Sequence, residues 1–119
     1  MEMTPEQRDF WIRDIGCIVA HALGLGFLPA EKHHLLTTGL HGNGKRRGEK
    51  QTVGMNCWSH RGVPLPGWSK ARCREVLGPS YALEPRRFRE QIGSDDYLLD
   101  LQNTLIDQHR QSSIRGIAA

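Results

Sequence analysis

Residues 30–36 read AEKHHLL and residues 54–62 read GMNCWSHRG. The first stretch sets two adjacent histidines, His33 and His34, at the mouth of an apolar run; the second closes on His60, just behind Trp58. A fold absorbs one imidazole easily, but an adjacent pair is harder to explain as packing. EKHHLL reads as a short strand and QTVGM (51–55) as a second. Between them TTGLHGNGKRRGE (37–49) carries four glycines and an Asn-Gly pair, the composition of a loop or wide turn. NCWSHRG then opens a helix or tight turn, so the three histidines fall on a β-β-α sequence within about thirty residues. Two readings stand side by side: rings solvated at a strand end, or rings that hold a metal and move a proton.

Around this centre the chain reads as helices. Thr4-Pro5-Glu6-Gln7 is a helix start, with Thr4 as cap, Pro5 in the first turn and Gln7 completing a capping box. Phe10, Trp11, Ile15, Ile18, Val19 and Ala22 recur at helical spacing, which predicts one amphipathic helix over 5–22 stopped by Gly24 and Gly26. SKARCREVLG (69–78) and PRRFREQIG (85–93) are two short helices closed by Gly78 and Gly93. Ser94 caps a longer one whose buried stripe is Leu98, Leu101, Leu105 and Ile106, with Asp95 and Asp96 where the helix dipole favours acids. Residues 110–119 are expected to be a flexible tail. The expected fold class is α+β, one domain over 1–119: a ββα unit at about 30–62 with a two-stranded hairpin, an N-terminal helix, and a helical part at about 69–109.

The 119 residues, 38% hydrophobic and 24% charged, describe an ordinary globular chain rather than a disordered or membrane-spanning one. No apolar run approaches the roughly 20 residues that cross a bilayer, and MEMTPEQRDFWIRD lacks a signal-peptide pattern, so the cytoplasm is the expected location. Cys17, Cys57 and Cys73 are an odd set without a C-x-x-C pair, which predicts reduced thiols and allows a structural zinc only with histidine help. The net charge of +3 is unevenly spread: residues 45–89 hold eleven Lys/Arg against three Asp/Glu. Positive charge concentrated beside a candidate site suits a polyanionic substrate, and a nucleic acid is the expected partner.

Hydrolysis of a phosphodiester needs a base for the attacking water and a cation on the scissile phosphate. Histidine suits the first task because its pKa lies near neutrality. His33 and His34 therefore read as a ligand and a base on opposite sides of a strand. His21 and His109 read as structural or solvated, while His41, in the glycine-rich loop, is a further candidate for metal or phosphate. Lys45, Arg46, Arg47 and Lys50 project from that loop and Arg61 follows His60, a set fitted to hold phosphate without reading sequence. The basic residues beyond 69 read as a solubilising surface.

With these residues in view, AEKHHLL, the Gly/Arg-rich loop, TVG and WSHRG resemble the phage recombination-enhancement (Ref-type) nucleases of the HNH, or ββα-metal, class. The resemblance runs from about Gly16 to about Leu99 and includes GPSYAL and FREQIGSDDYLL. It implies a metal-dependent DNA endonuclease with one Mg²⁺ or Mn²⁺ held by His33 and His60 and with His34 as general base, although ligand and base exchange between His33 and His34 without violating the motif. It also implies phage origin, action in the bacterial cytoplasm and a recombinase filament as partner. The middle Asn of HNH proteins falls near Gln51. Of the zinc-ligand positions in many relatives only Cys17 is retained: Asn56 and Ser59 stand at two others and Cys57 is shifted by one, so no intact structural zinc is expected, and Trp11, Trp58 and Trp68 are expected to supply packing in its place. The alternative is an HNH-like module that binds DNA or a recombination protein without cutting.

Overall fold

The computed structural model describes residues 3–35, 48 and 50–118, the last five by backbone alone. The chain runs α1 (Pro5–Ile15), α2 (Ile18–Ala22), β1 (Glu31–His34), β2 (Thr52–Met55), α3 (Cys57–Arg61), α4 (Lys70–Leu77), α5 (Pro85–Gln91) and α6 (Asp95–Ala118). It is an α+β fold with a two-stranded antiparallel sheet, an N-terminal helical segment before it and several helices after it.

Local chemistry accounts for most helix ends. Thr4 Oγ1 accepts from the Gln7 N–H at 3.1 Å and the Gln7 side chain accepts from the Thr4 N–H at 2.9 Å, a complete capping box on α1. Ser69 and Ser94 cap α4 and α6 through the N–H groups of Arg72 and Tyr97. The single helix expected over 5–22 is instead two. Gly16 adopts φ 86°, and the Cys17 N–H donates to the Leu28 carbonyl at 2.8 Å rather than to the helix. A Cβ at Gly16 would sit 2.6 Å from that carbonyl oxygen, so the returning chain breaks the helix where only glycine fits. Phe10, expected in the buried stripe, is 61% exposed, and Ile12 takes the core position. The last helix does not end near 109 but continues through Ala118.

The hairpin pairs Glu31 with Met55, Lys32 with Gly54, His33 with Val53 and His34 with Thr52. Strand alternation therefore puts Glu31, His33, Val53 and Met55 on one face, and Lys32, His34, Thr52 and Gly54 on the other. The second face is stapled by a buried guanidinium. Arg8 of α1 donates through Nε to Thr52 Oγ1 (3.1 Å), through Nη2 to the Thr52 carbonyl (2.6 Å) and through Nη1 to Asn103 Oδ1 of α6 (2.8 Å). The outward N–H of Gly54 would be an open sheet edge, and the buried Gln102 of α6 accepts it at 2.8 Å.

The main core joins Cys17, Ile18, Val19, Ala20, Leu35, Val53, Met55, Tyr81, Phe88 and Leu98 from both halves of the chain. Cys17 Sγ accepts from the Asn56 backbone N–H (3.2 Å) and side-chain amide (3.1 Å), and Asn56 caps α3 by accepting from the Ser59 N–H at 2.8 Å. Cys17, Asn56 and Ser59, three positions that the resemblance aligns with zinc ligands, thus meet here through hydrogen bonds. Trp58 is buried and donates to the Gly78 carbonyl at 2.9 Å, and with half-buried Trp68 it belongs to a smaller core under α4. Trp11 is half-buried and packs with Ile12, Ile15 and Ile106 instead.

A Cβ on Gly54 would meet Ile12 Cγ2 at 2.7 Å and Ala30 Cβ at 2.9 Å. Gly54→Ala is expected to lower stability by about 1–3 kcal/mol through overpacking. Gly26→Ala, with nothing within 4 Å, is expected to leave it nearly unchanged. Thermal melts of the two variants check this; equal melting temperatures would contradict the packing.

Candidate active site

The face of β1 that carries Glu31 and His33 looks toward α3. His60 comes from that short helix, whose Asn56 cap and left-handed Gly62 (φ 74°) hold it to five residues. The His33 and His60 rings meet edge to face, with centroids 4.9 Å apart at 80°. Tyr81 closes the other side of His33, centroids 4.7 Å apart at 68°. Its hydroxyl donates to Asp95 Oδ2 at 3.1 Å and accepts from Arg89 Nη2 at 3.0 Å. His33 and His60, 27 positions apart in the sequence, are thus brought into ring contact by the hairpin and the helix after it.

His33 is 7% exposed, and its Nε2 is buried without a hydrogen-bond partner among the described residues. Burial first, then the neighbouring charges of His60 and His34, push its pKa down to about 4. The ring is neutral at physiological pH and has an unshared lone pair, the state in which imidazole ligates metals. Half-buried His60 bonds through Nδ1 to Glu31 Oε1 at 2.8 Å. Glu31 also accepts from Arg61, Nε to Oε1 at 2.6 Å and Nη2 to Oε2 at 3.1 Å. The Arg61 bonds, more than the His60 contact, hold its carboxyl below the usual carboxylate range against the opposing effect of burial. Burial and the Asp95 charge raise the Tyr81 phenol.

Of the sequence candidates, His33, His60 and Arg61 are brought together here. His34 lies on the other face of β1, with Thr52 and Lys32. Gln51 is exposed, and its carbonyl accepts from the Leu35 N–H at 3.4 Å. Lys50 lines a separate cleft of about 360 Å³ with Arg8, Asn103 and Arg110, on the α1–α6 side of the hairpin. Lys45, Arg46, Arg47 and His41 lie outside the described residues. His21 Nε2 bonds to the Ile15 carbonyl at 3.0 Å, and His109 is half-buried on α6. Most basic residues beyond 69 are already engaged: Arg74 and Arg87 with Glu84, Arg86 with Glu90, Arg89 with Asp95, and Arg72 over the Trp68 ring at 4.3 Å.

Glu31 was missed by the sequence reading, although its signal was present. Two residues before His33 on a strand is the same face, and an acid there meets whatever His33 meets.

Among the described residues no three His, Cys, Asp or Glu side chains converge as a closed cage. What this face presents is two imidazoles in edge-to-face contact, one with a buried, unbonded Nε2 among the described residues. No helix of the described residues is long and apolar enough to cross a membrane.

A family model described as recombination enhancement, RecA-dependent nuclease, matches residues 3–107. No curated protein and no solved structure matches the chain.

Because the folded protein depresses the His33 pKa below its ordinary 6.5, the unfolded chain binds the extra proton first as pH falls. Stability is therefore expected to be complete above about 6.5 and to fall by a few kcal/mol as pH drops toward 4. Denaturant titrations of metal-free protein across that window, beside His33→Phe, check the sign: the variant should lose part of the slope. An identical pH dependence in both would show that His33 is not the buried neutral group.

Proposed function

The chain belongs to the family of RecA-dependent, recombination-enhancement nucleases, and we propose that it cuts DNA as an HNH-type, one-metal endonuclease at the His33–His60 face of its hairpin. Membership makes it a nuclease, a hydrolase of phosphodiester bonds, and implies a divalent cation, DNA and RecA as the participants. That weighs against a module that binds without cutting. The observation that carries the residue-level reading is the buried Nε2 of His33, unpartnered among the described residues, beside the ring of His60. An uncompensated buried nitrogen costs stability, on the order of 1–3 kcal/mol, and a ligand removes that cost.

His33 and His60 would hold the cation. When bound, it supplies positive charge to the scissile phosphate and to the leaving oxygen. The shared face of His33 and His60 favours His33 over His34 as ligand, which leaves His34 as the base that takes the proton from the attacking water. Arg61 beside His60, with Lys45, Arg46, Arg47 and Lys50 of the loop, would hold the phosphate backbone without selecting sequence; His41 and Gln51 are secondary candidates. Two nitrogen donors suit Mn²⁺ better than Mg²⁺, which prefers carboxylate and water oxygens. A phage-encoded protein acting on a recombinase filament in the bacterial cytoplasm is consistent with this reading.

Plasmid or RecA-bound DNA incubated with the protein should be nicked with Mn²⁺, less with Mg²⁺, and not with EDTA. His34→Ala is expected to lower the rate by about 10²–10⁴-fold while Mn²⁺ binding persists. His33→Ala and His60→Ala are expected to lose both. Unimpaired cleavage by His34→Ala would remove it as base, and unimpaired Mn²⁺ binding by the other two would remove the site.

A further inference from the structure

We infer that Glu31 is a positioning residue with two functions: it fixes the tautomer of His60, and it holds Arg61 in reserve beside the site. The inference rests on the reading of His60 as a metal ligand.

The carboxylate reaches from β1 to α3 and binds two neighbouring side chains at once. Oε1 receives His60 Nδ1 at 2.8 Å and Arg61 Nε at 2.6 Å, and Oε2 receives Arg61 Nη2 at 3.1 Å. A carboxylate forked onto the Arg61 guanidinium only accepts hydrogen bonds, so the proton of a neutral His60 resides on Nδ1. Nε2 is then the nitrogen with the lone pair. Free imidazole has no such constraint, and a ligating histidine oriented by a carboxylate on its other nitrogen is a recurrent way of fixing ring and donor atom.

The second function follows from the fork geometry. Glu31 occupies the Nε and Nη2 edge of Arg61, the same planar pair of donors that a phosphate would take. The Arg61 side chain is 54% exposed, so an arriving phosphate can compete for it. Until then the carboxylate offsets a guanidinium charge beside the place where a cation binds, and like charges at that range repel appreciably. Removal of the carboxylate should weaken cation binding twice over, by releasing the ring and by exposing the charge. Glutamine separates the two effects, since its amide oxygen still accepts from His60 Nδ1 but has no charge to hold Arg61.

The test uses the full chain, with Mn²⁺ binding by calorimetry, ¹⁵N NMR of the His60 ring in metal-free protein, and binding of inorganic phosphate as the anion probe. Glu31→Ala is expected to weaken Mn²⁺ binding by about 10–100-fold and to lose the predominance of the Nδ1–H tautomer. Glu31→Gln is expected to restore the tautomer and much of the Mn²⁺ affinity while binding phosphate several-fold more tightly, a gain that Arg61→Ala added to Glu31→Gln abolishes. If the alanine variant does not fold, the glutamine variant still decides between the alternatives. Wild-type Mn²⁺ affinity and an unchanged tautomer in Glu31→Ala, with His60→Ala unable to bind Mn²⁺, would overturn the inference and leave the site intact. A glutamine variant with unchanged phosphate binding would overturn the reserve function of Arg61. No Mn²⁺ binding by the unaltered protein would remove the metal site and this inference with it.

Discussion

A two-stranded hairpin of four residues per strand buries too little to stand by itself, and this one is held by the buried guanidinium of Arg8. From α1 that group binds both the side chain and the carbonyl of Thr52 and reaches Asn103 on α6, so the chain's two ends and its sheet are joined at one point. A buried charge is tolerable because three acceptors surround it. Gln102 adds a second tie at the N–H of Gly54. With the second face of the hairpin clamped in this way, its first face is fixed relative to α3, and the His33–His60 contact follows.

That contact places a polar ring in a nearly dry position. His33 lies among His60, Tyr81 and the main core, neutral and with one nitrogen unsatisfied among the described residues. Such a group is a local expense in stability that the surrounding packing sustains. Tyr81 is kept in place by Asp95 and Arg89, so α5 and α6, distant from β1 along the chain, support the His33 ring that faces His60. The C-terminal segments, which carry no chemistry recognisable in their residue types, therefore serve as the wall of the site.

The charge distribution has a similar lesson. The excess of Lys and Arg over residues 45–89 reads as one basic tract in the sequence. In the fold, Arg74, Arg86, Arg87 and Arg89 are each matched by an acid 3 to 10 residues away in the chain, and Arg61 is matched by the more distant Glu31. Counting charges along the chain thus overstates how many cations are open to phosphate. Likewise, Cys17 and the distant Asn56 and Ser59 form one buried hydrogen-bonded group.

What the sequence determined alone was local: the capping box at Thr4, the serine caps of α4 and α6, the two short strands, and the alternation that divides His33 from His34. These depend on residues within one or two turns of each other, where side-chain period and hydrogen-bonding type leave few choices. The helix break at Gly16, the staple from Arg8, the wall made by Tyr81 and the capture of His60 and Arg61 by Glu31 were decided only by tertiary structure. Each joins groups 8 to 95 residues apart, and no local preference ranks one such pairing above another until burial of the core brings the partners together.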